Sequence, residues 1–221
     1  MKINDFKMYK KCLIVVDMVN GFVREGVLHD KEIERIIPNQ IKLIKSTLGT
    51  GELVIFIKDT HSNNSTEFKR FGNTKHCLDN TSEAELVDEL KEFEGLDNTI
   101  SISKNSTSFM ESPKFREVVN KLDGVEEFDI VGCCTDICVV NGAIGLANYN
   151  DEWNRDVVIK AYTDAIATYS ENVRKNYIDA AYLLMEQQGI ELVKTRWLFF
   201  LEYVINKTLK RGEWYNEKYG Y

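Results

Sequence analysis

Short runs of consecutive apolar residues recur along the chain, each cut off by a polar or small residue. Cys12-Leu13-Ile14-Val15-Val16 stops at Asp17 and residues 53–57 lead into Asp59, while Thr99 to Ser103, less apolar, reads as a short strand ending at Lys104. Asp129-Ile130-Val131 is broken by Gly132, and two more runs cover residues 157–159 and 190–193. Unbroken apolar runs of this length mark parallel strands buried on both faces. Helical spacing fills the gaps. Pro38 opens a predicted helix to about Leu48, with Ile41, Ile44 and Leu48 as its apolar stripe and Gly49 as its stop. Ser82 and Glu85 have capping-box spacing and predict a helix to about Phe93. Ser112-Pro113 opens the next, and Thr135 or Asp136 caps another. Residues 171–188 form a long helix with Tyr177, Ala180, Ala181, Leu184 and Met185 on one face. Strands alternating with helices predict an α/β fold, a three-layer α/β/α sandwich on a six-stranded parallel sheet with right-handed crossovers.

One domain over residues 1–194 accounts for these elements, with no internal repeat or linker. Residues 195–221 read as a helical extension. Trp197, Leu198, Phe199, Phe200, Leu201, Tyr203, Val204 and Ile205 crowd together there, a surface for packing on the domain or on a second subunit of a homo-oligomer. No apolar run reaches the roughly 20 residues of a membrane span. The N-terminus, MKINDFKMYKK, lacks the apolar core of a secretory signal. A formal net charge of −7 argues against a nucleic-acid partner. The 5 cysteines, odd in number and without a CxxC pair, point to reduced thiols in the cytoplasm.

Chemistry collects where the predicted strands end. Ligands of open α/β sheets bind at that edge, and Asp17, Asp59, His61, Lys104 and the Cys138 loop all fall there. Cys138 lies in the first turn of a helix, where unpaired N–H groups and the helix dipole favour a thiolate; a free cysteine is equally at home as a packed core residue. Asp17 reads as a general base or as a turn cap, and Lys104 as a cation beside the sulfur or as a surface lysine. As a group the three suit attack on a carbonyl carbon, with helix-start N–H groups facing the oxyanion. Asp59, His61 and His76 offer one carboxylate and two imidazoles, a set that suits zinc, iron(II) or manganese, and Glu67 adds another oxygen. A bare D-x-H step also occurs in ordinary polar loops.

These residues sit in VVDMVNGF (15–22), KDTH (58–61), EFKRF (67–71), HC (76–77), SKNSTSF (103–109) and GCCTDICV (132–139). In that order, over residues 11–193, the chain resembles the isochorismatase-like cysteine hydrolases, in their nicotinamidase branch. The resemblance implies hydrolysis of nicotinamide, in NAD salvage, to nicotinic acid and ammonia through a cysteine thioester. It implies Asp17, Lys104 and Cys138 as the catalytic triad. It implies Asp59, His61 and His76 as ligands of a divalent metal, most often zinc, with Glu67 beside it and the pyridine nitrogen held there. Phe22 and Phe71 match aromatic positions that sandwich the ring. The Cys133–Cys134 bond matches a cis peptide that turns the Cys134 N–H, with that of Cys138, toward the oxyanion. Val19, Thr107 and Cys134 stand where many members carry glutamine, an aromatic residue and alanine. The competing expectations are another small-amide or carbamoyl hydrolase of the same family, and a non-catalytic binding protein on this fold.

Overall fold

A computed structural model describes residues 9–195. The elements in order are β1 (Lys11–Val16), α1 (Asn20–Val23), α2 (Ile37–Gly49), β2 (Leu53–Asp59), α3 (Glu67–Arg70), α4 (Asp88–Lys91), β3 (Thr99–Lys104), α5 (Pro113–Val119), β4 (Glu127–Cys133), α6 (Val140–Glu152), β5 (Val158–Ala167), α7 (Glu171–Gln187) and β6 (Glu191–Val193). The strands form one sheet in the order β3-β2-β1-β4-β5-β6. Every neighbouring pair is parallel. The predicted sandwich is the observed one. The extension from residue 195 lies outside the described residues apart from its first position.

The apolar runs bury both faces because successive side chains alternate across the sheet. Cys12, Ile14, Val16, Ile55, Ile57 and Phe128 face one core with Phe115, Ala143 and Leu146 of α5 and α6. Leu13, Val15, Val54, Phe56 and Val131 face the other with Leu43 and Ile44 of α2.

Four local expectations are corrected. Residues 82–93 do not form a continuous helix. Glu85 is extended, Leu86 bridges Val19, and Val87 N–H donates to Met18 O at 3.0 Å. This segment closes over the chain leaving β1, and burial of Leu86 and Val87 outweighs the local capping pattern. Ser82 caps nothing; Ser112 holds the N-cap position of α5 ahead of Pro113, but its hydroxyl donates to Ser103 O at 3.1 Å and its oxygen accepts no N–H from the helix. On α7 the inward stripe is Ala181 and Met185, while Tyr177 and Leu184 are 63% and 49% exposed. An outer helix touches the domain along a narrower line than its apolar content suggests. Finally, β5 runs on to Ala167, past the polar residues Lys160, Thr163 and Asp164 that mask it in the sequence.

Gly132 is where the central strands meet the site. Its φ of +123° is a region that L residues rarely adopt, and a Cβ there would lie 2.0 Å from Val16 O. Substitution must break either the backbone angle or the β1–β4 pairing. Gly132→Ala is therefore expected to cost at least about 3 kcal/mol, seen as a fall in thermal midpoint or as loss of folded protein; unfolding within experimental error of wild type refutes it.

Candidate active site

The sheet edge assembles the site from separate strands. Asp59 ends β2 and Lys104 ends β3, and the two are register partners. Asp17 follows β1 at φ 51°, a left-handed turn that aspartate tolerates, and its N–H donates to Ile57 O at 2.9 Å. β4 ends at Cys133, whose peptide to Cys134 is cis. The chain then makes a single wide turn, Thr135–Val139, before α6 begins. Neither Thr135 nor Asp136 caps this turn. Cys134 takes the leading position, and its carbonyl accepts from the Ile137 and Val139 N–H groups, both at 3.1 Å. Cys138 sits inside the turn, buried.

Lys104 joins the parts. Its Nζ lies 2.7 Å from Asp59 Oδ1, 2.8 Å from Asp17 Oδ2 and 3.7 Å from Cys138 Sγ. The Asp59 contact is an aligned hydrogen bond, whereas the Asp17 contact is ionic only. Neither Asp17 oxygen accepts an aligned hydrogen bond among the described residues. Burial alone would discharge this ammonium, but Asp17 and Asp59 hold its pKa well above the usual 10.5. Burial pushes the Asp17 carboxyl up to about 6 against the pull of Lys104. Burial also raises the Cys138 thiol well above 9.0; Lys104 opposes that rise, and Asp17 and Asp59 add to it. The helix-start expectation of an acidified thiol is thus corrected. At rest the sulfur keeps its proton, beside a carboxylate made unusually basic.

The second cluster is contiguous with the first. One donor atom from each of Asp59, His61, Glu67 and His76 falls within 4.8 Å of the others, and all four residues are buried. His61 Nε2 is 2.8 Å from Asp59 Oδ2, and His76 Nε2 is 3.4 Å from the same oxygen. The opposite ring nitrogens are tied back. His61 Nδ1 faces Asn105 Oδ1 at 2.6 Å, and His76 Nδ1 faces Thr74 O at 3.0 Å. Both partners are acceptors, so each Nδ1 carries a hydrogen and each Nε2, aimed at Asp59 Oδ2, is the nitrogen that would ligate a cation at the shared centre. Glu67 Oε2 is buried with no partner. An orphaned carboxylate oxygen, two inward ring nitrogens and a shared carboxylate make a donor set that fits a divalent cation.

A cavity of about 440 Å³, its mouth included, spans both clusters. Asp59, Glu67 and His76 line one part of it, and Cys134 and Cys138 another. Phe22, on the one-turn helix α1, and Phe71 line it too, with ring centroids 5.8 and 6.3 Å from that of His76. The structure therefore brings every sequence-nominated residue to one place. Sequence reasoning missed Phe68, whose ring packs 5.1 and 5.3 Å from the two imidazoles. It also missed Asn105 as the partner of His61, and Leu28, Ile137 and Tyr169 in the wall. Asn105 was within reach, one residue after Lys104 inside a quoted motif.

Fold and site together define an isochorismatase-like hydrolase. The family model described as an isochorismatase domain matches residues 11–196, and the chain belongs to that family. Nicotinamidase 1 of Arabidopsis thaliana is 30% identical over 139 residues, a match spanning 58% of this chain and 56% of that relative's length. A nicotinamidase structure from Bacillus subtilis superposes with a TM-score of 0.68 at 22% identity, over 84% of this chain and 99% of the other. A pyrazinamidase of Pyrococcus horikoshii in complex with zinc gives 0.67 at 25%, over 84% and 99%. An N-carbamoylsarcosine amidase from Thermoplasma acidophilum gives 0.64 at 23%, over 84% and 96%.

The raised Asp17 pKa has a stability consequence of definite sign. An unfolded chain ionises this carboxyl near the ordinary aspartate value of 3.8, whereas the folded protein keeps the proton until about 6. The folded state binds the extra proton between those values, so stability falls as pH rises through 6. Asp17→Asn removes the ionisation. It is expected to gain on wild type by up to about 3 kcal/mol once pH exceeds about 6, and by nothing near pH 4. Urea unfolding of both proteins across that range checks this, and a pH-independent difference contradicts it.

Proposed function

We propose that this protein is a metal-dependent nicotinamidase. The observation that carries the reading is one cavity lined by Cys138, by Asp59, Glu67 and His76 of a four-residue metal-type donor set, and by the Phe22 and Phe71 rings, with Lys104 3.7 Å from the sulfur. The likeness to plant and bacterial nicotinamidases supports it. Asp59, His61 and His76 would hold the cation with Glu67 beside them; zinc is favoured, since the related pyrazinamidase is a zinc complex, with iron(II) and manganese as alternatives. When bound, the cation supplies a Lewis-acid seat for the pyridine nitrogen.

This chain's own residues carry the chemistry. Asp17 takes the Cys138 proton as the sulfur attacks the carboxamide carbon. Lys104, 3.7 Å from the sulfur, offsets the thiolate charge. The Cys134 and Cys138 N–H groups face the oxyanion. As the C–N bond breaks, Asp17 returns its proton to the leaving nitrogen and ammonia departs, leaving a thioester. Asp17 then deprotonates a water that attacks the same carbon. The C–S bond breaks, the sulfur recovers its proton and nicotinic acid leaves. A buried carboxyl near pH 6 suits both directions of that traffic.

A second reading, another small amide or a carbamoyl substrate, is favoured by the likeness to N-carbamoylsarcosine amidase. Among the described residues no helix is long and apolar enough to cross a membrane. All 5 cysteines are free. The outward face of α7, with Val173, Tyr177 and Leu183 more than half exposed, supports a homo-oligomer.

Ammonia release from nicotinamide and from a panel of other amides tests the substrate. Nicotinamide is expected to lead the panel, and Cys138→Ala to lower turnover at least about 1,000-fold while the unfolding curve is kept. No release from nicotinamide by metal-replete wild type removes the reading. His61→Ala is expected to weaken divalent-metal binding at least about 100-fold, measured as metal retained after dialysis; wild-type metal content in that variant contradicts the ligand assignment.

A further inference from the structure

Tyr169 stands in the cavity wall with Cys134, Ile137 and Cys138, and no step above uses it. Its surroundings are built to hold it still. It precedes Ser170, which occupies a left-handed φ of 48° at the head of α7. Ser170 N–H donates to Asp30 Oδ2 at 2.8 Å, and Glu171 pairs with Arg35. Five residues after Tyr169, Arg174 lays its guanidinium over the Tyr169 ring, 4.5 Å from the centroid, with Tyr177 at 4.9 Å. The same guanidinium donates through Nε to Asp136 Oδ2 at 2.9 Å and through Nη2 to the same oxygen. Asp136 belongs to the turn that carries Cys138, and its side chain is 2% exposed.

An arginine stacked on an aromatic face and forked onto a carboxylate is fixed in a way a flexible lysine is not. Here the fixed guanidinium ties the pocket wall to the nucleophile's own turn. The distance from Tyr169 to the sulfur is thus set by a chain of three side chains rather than by loop packing. A wall placed so sets how large an amide can lie against the sulfur.

Resting on the cavity as the substrate site, we infer that Tyr169 is a specificity-determining residue and that Arg174, anchored on Asp136, is the positioning residue that holds its ring. The ligand class is a planar carboxamide whose ring carries no bulky substituent on the Tyr169 side.

Two measurements on the full, metal-loaded chain test this. The first compares kcat/KM for nicotinamide with that for its ring-methylated isomers. Tyr169→Ala is expected to raise the ratio for at least one methylated isomer by about 10-fold, the worth of one methyl in an apolar pocket, and Tyr169→Phe to restore the wild-type ratio. The second needs no substrate. It follows alkylation of Cys138 by iodoacetamide and by the bulkier iodoacetanilide, read by peptide mass spectrometry. Tyr169→Ala is expected to shift that ratio toward the larger reagent. Arg174→Ala is expected to reproduce the shift, and the double variant to add nothing to it. Should Arg174→Ala not fold, Arg174→Lys, which keeps a charge for Asp136 and loses the planar stack, is expected to shift the ratio the same way by a smaller factor. Unchanged ratios in Tyr169→Ala overturn the specificity role. Additive effects in the double variant, or a wild-type ratio in Arg174→Lys, overturn the positioning role. If wild type leaves nicotinamide intact, the proposed function fails, while the alkylation ratio still decides the wall.

Discussion

An ammonium group at the end of a parallel strand, with its side chain 1% exposed, stays charged only if carboxylates surround it. Lys104 meets Asp17 and Asp59 at 2.8 and 2.7 Å, and these come from the two neighbouring strands of the sheet. The ion cluster therefore exists only when β3, β2 and β1 are paired in register. Losing Lys104 would leave two buried carboxylates with no cation between them. The continuous apolar runs before Asp17 and Asp59 bury those two carboxylates, so fold and chemistry share a cause.

The same burial sets opposite tasks for neighbouring groups. It lifts the Cys138 thiol and the Asp17 carboxyl together, so the proton rests on sulfur and a basic oxygen waits beside it. A thiolate formed in advance would need no base, but it would also be open to oxidants and metals before any substrate arrives. In the proposed reaction the nucleophile is generated by transfer within the cluster, with Lys104 at hand to balance the charge that moves.

The sequence shows the sheet plainly, because five central residues of β1 and five of β2 are apolar without interruption. It shows the chemistry because Asp17, Asp59 and Lys104 stand at the points where those runs stop. What it hides depends on long-range contacts. Residues 85–87 look helical and are claimed by the chain after β1. β5 carries lysine, threonine and aspartate in its middle, since a strand near the sheet edge need not be apolar throughout. The wide turn at Thr135–Val139 shares its residues with an ordinary helix start, and only the Cys134 carbonyl bonded to the Val139 N–H distinguishes it. Tyr169 and Arg174 carry no pattern at all. Their meaning comes from Asp136, distant in the chain and adjacent in space.

Asp59 binds the two halves of the site into one unit. Its Oδ1 accepts from Lys104, and its Oδ2 faces His61 and His76. Its pKa lies below the ordinary carboxylate range because Lys104 and the imidazoles outweigh burial. The histidine side and the sulfur side of the site are two sides of a single buried charge distribution.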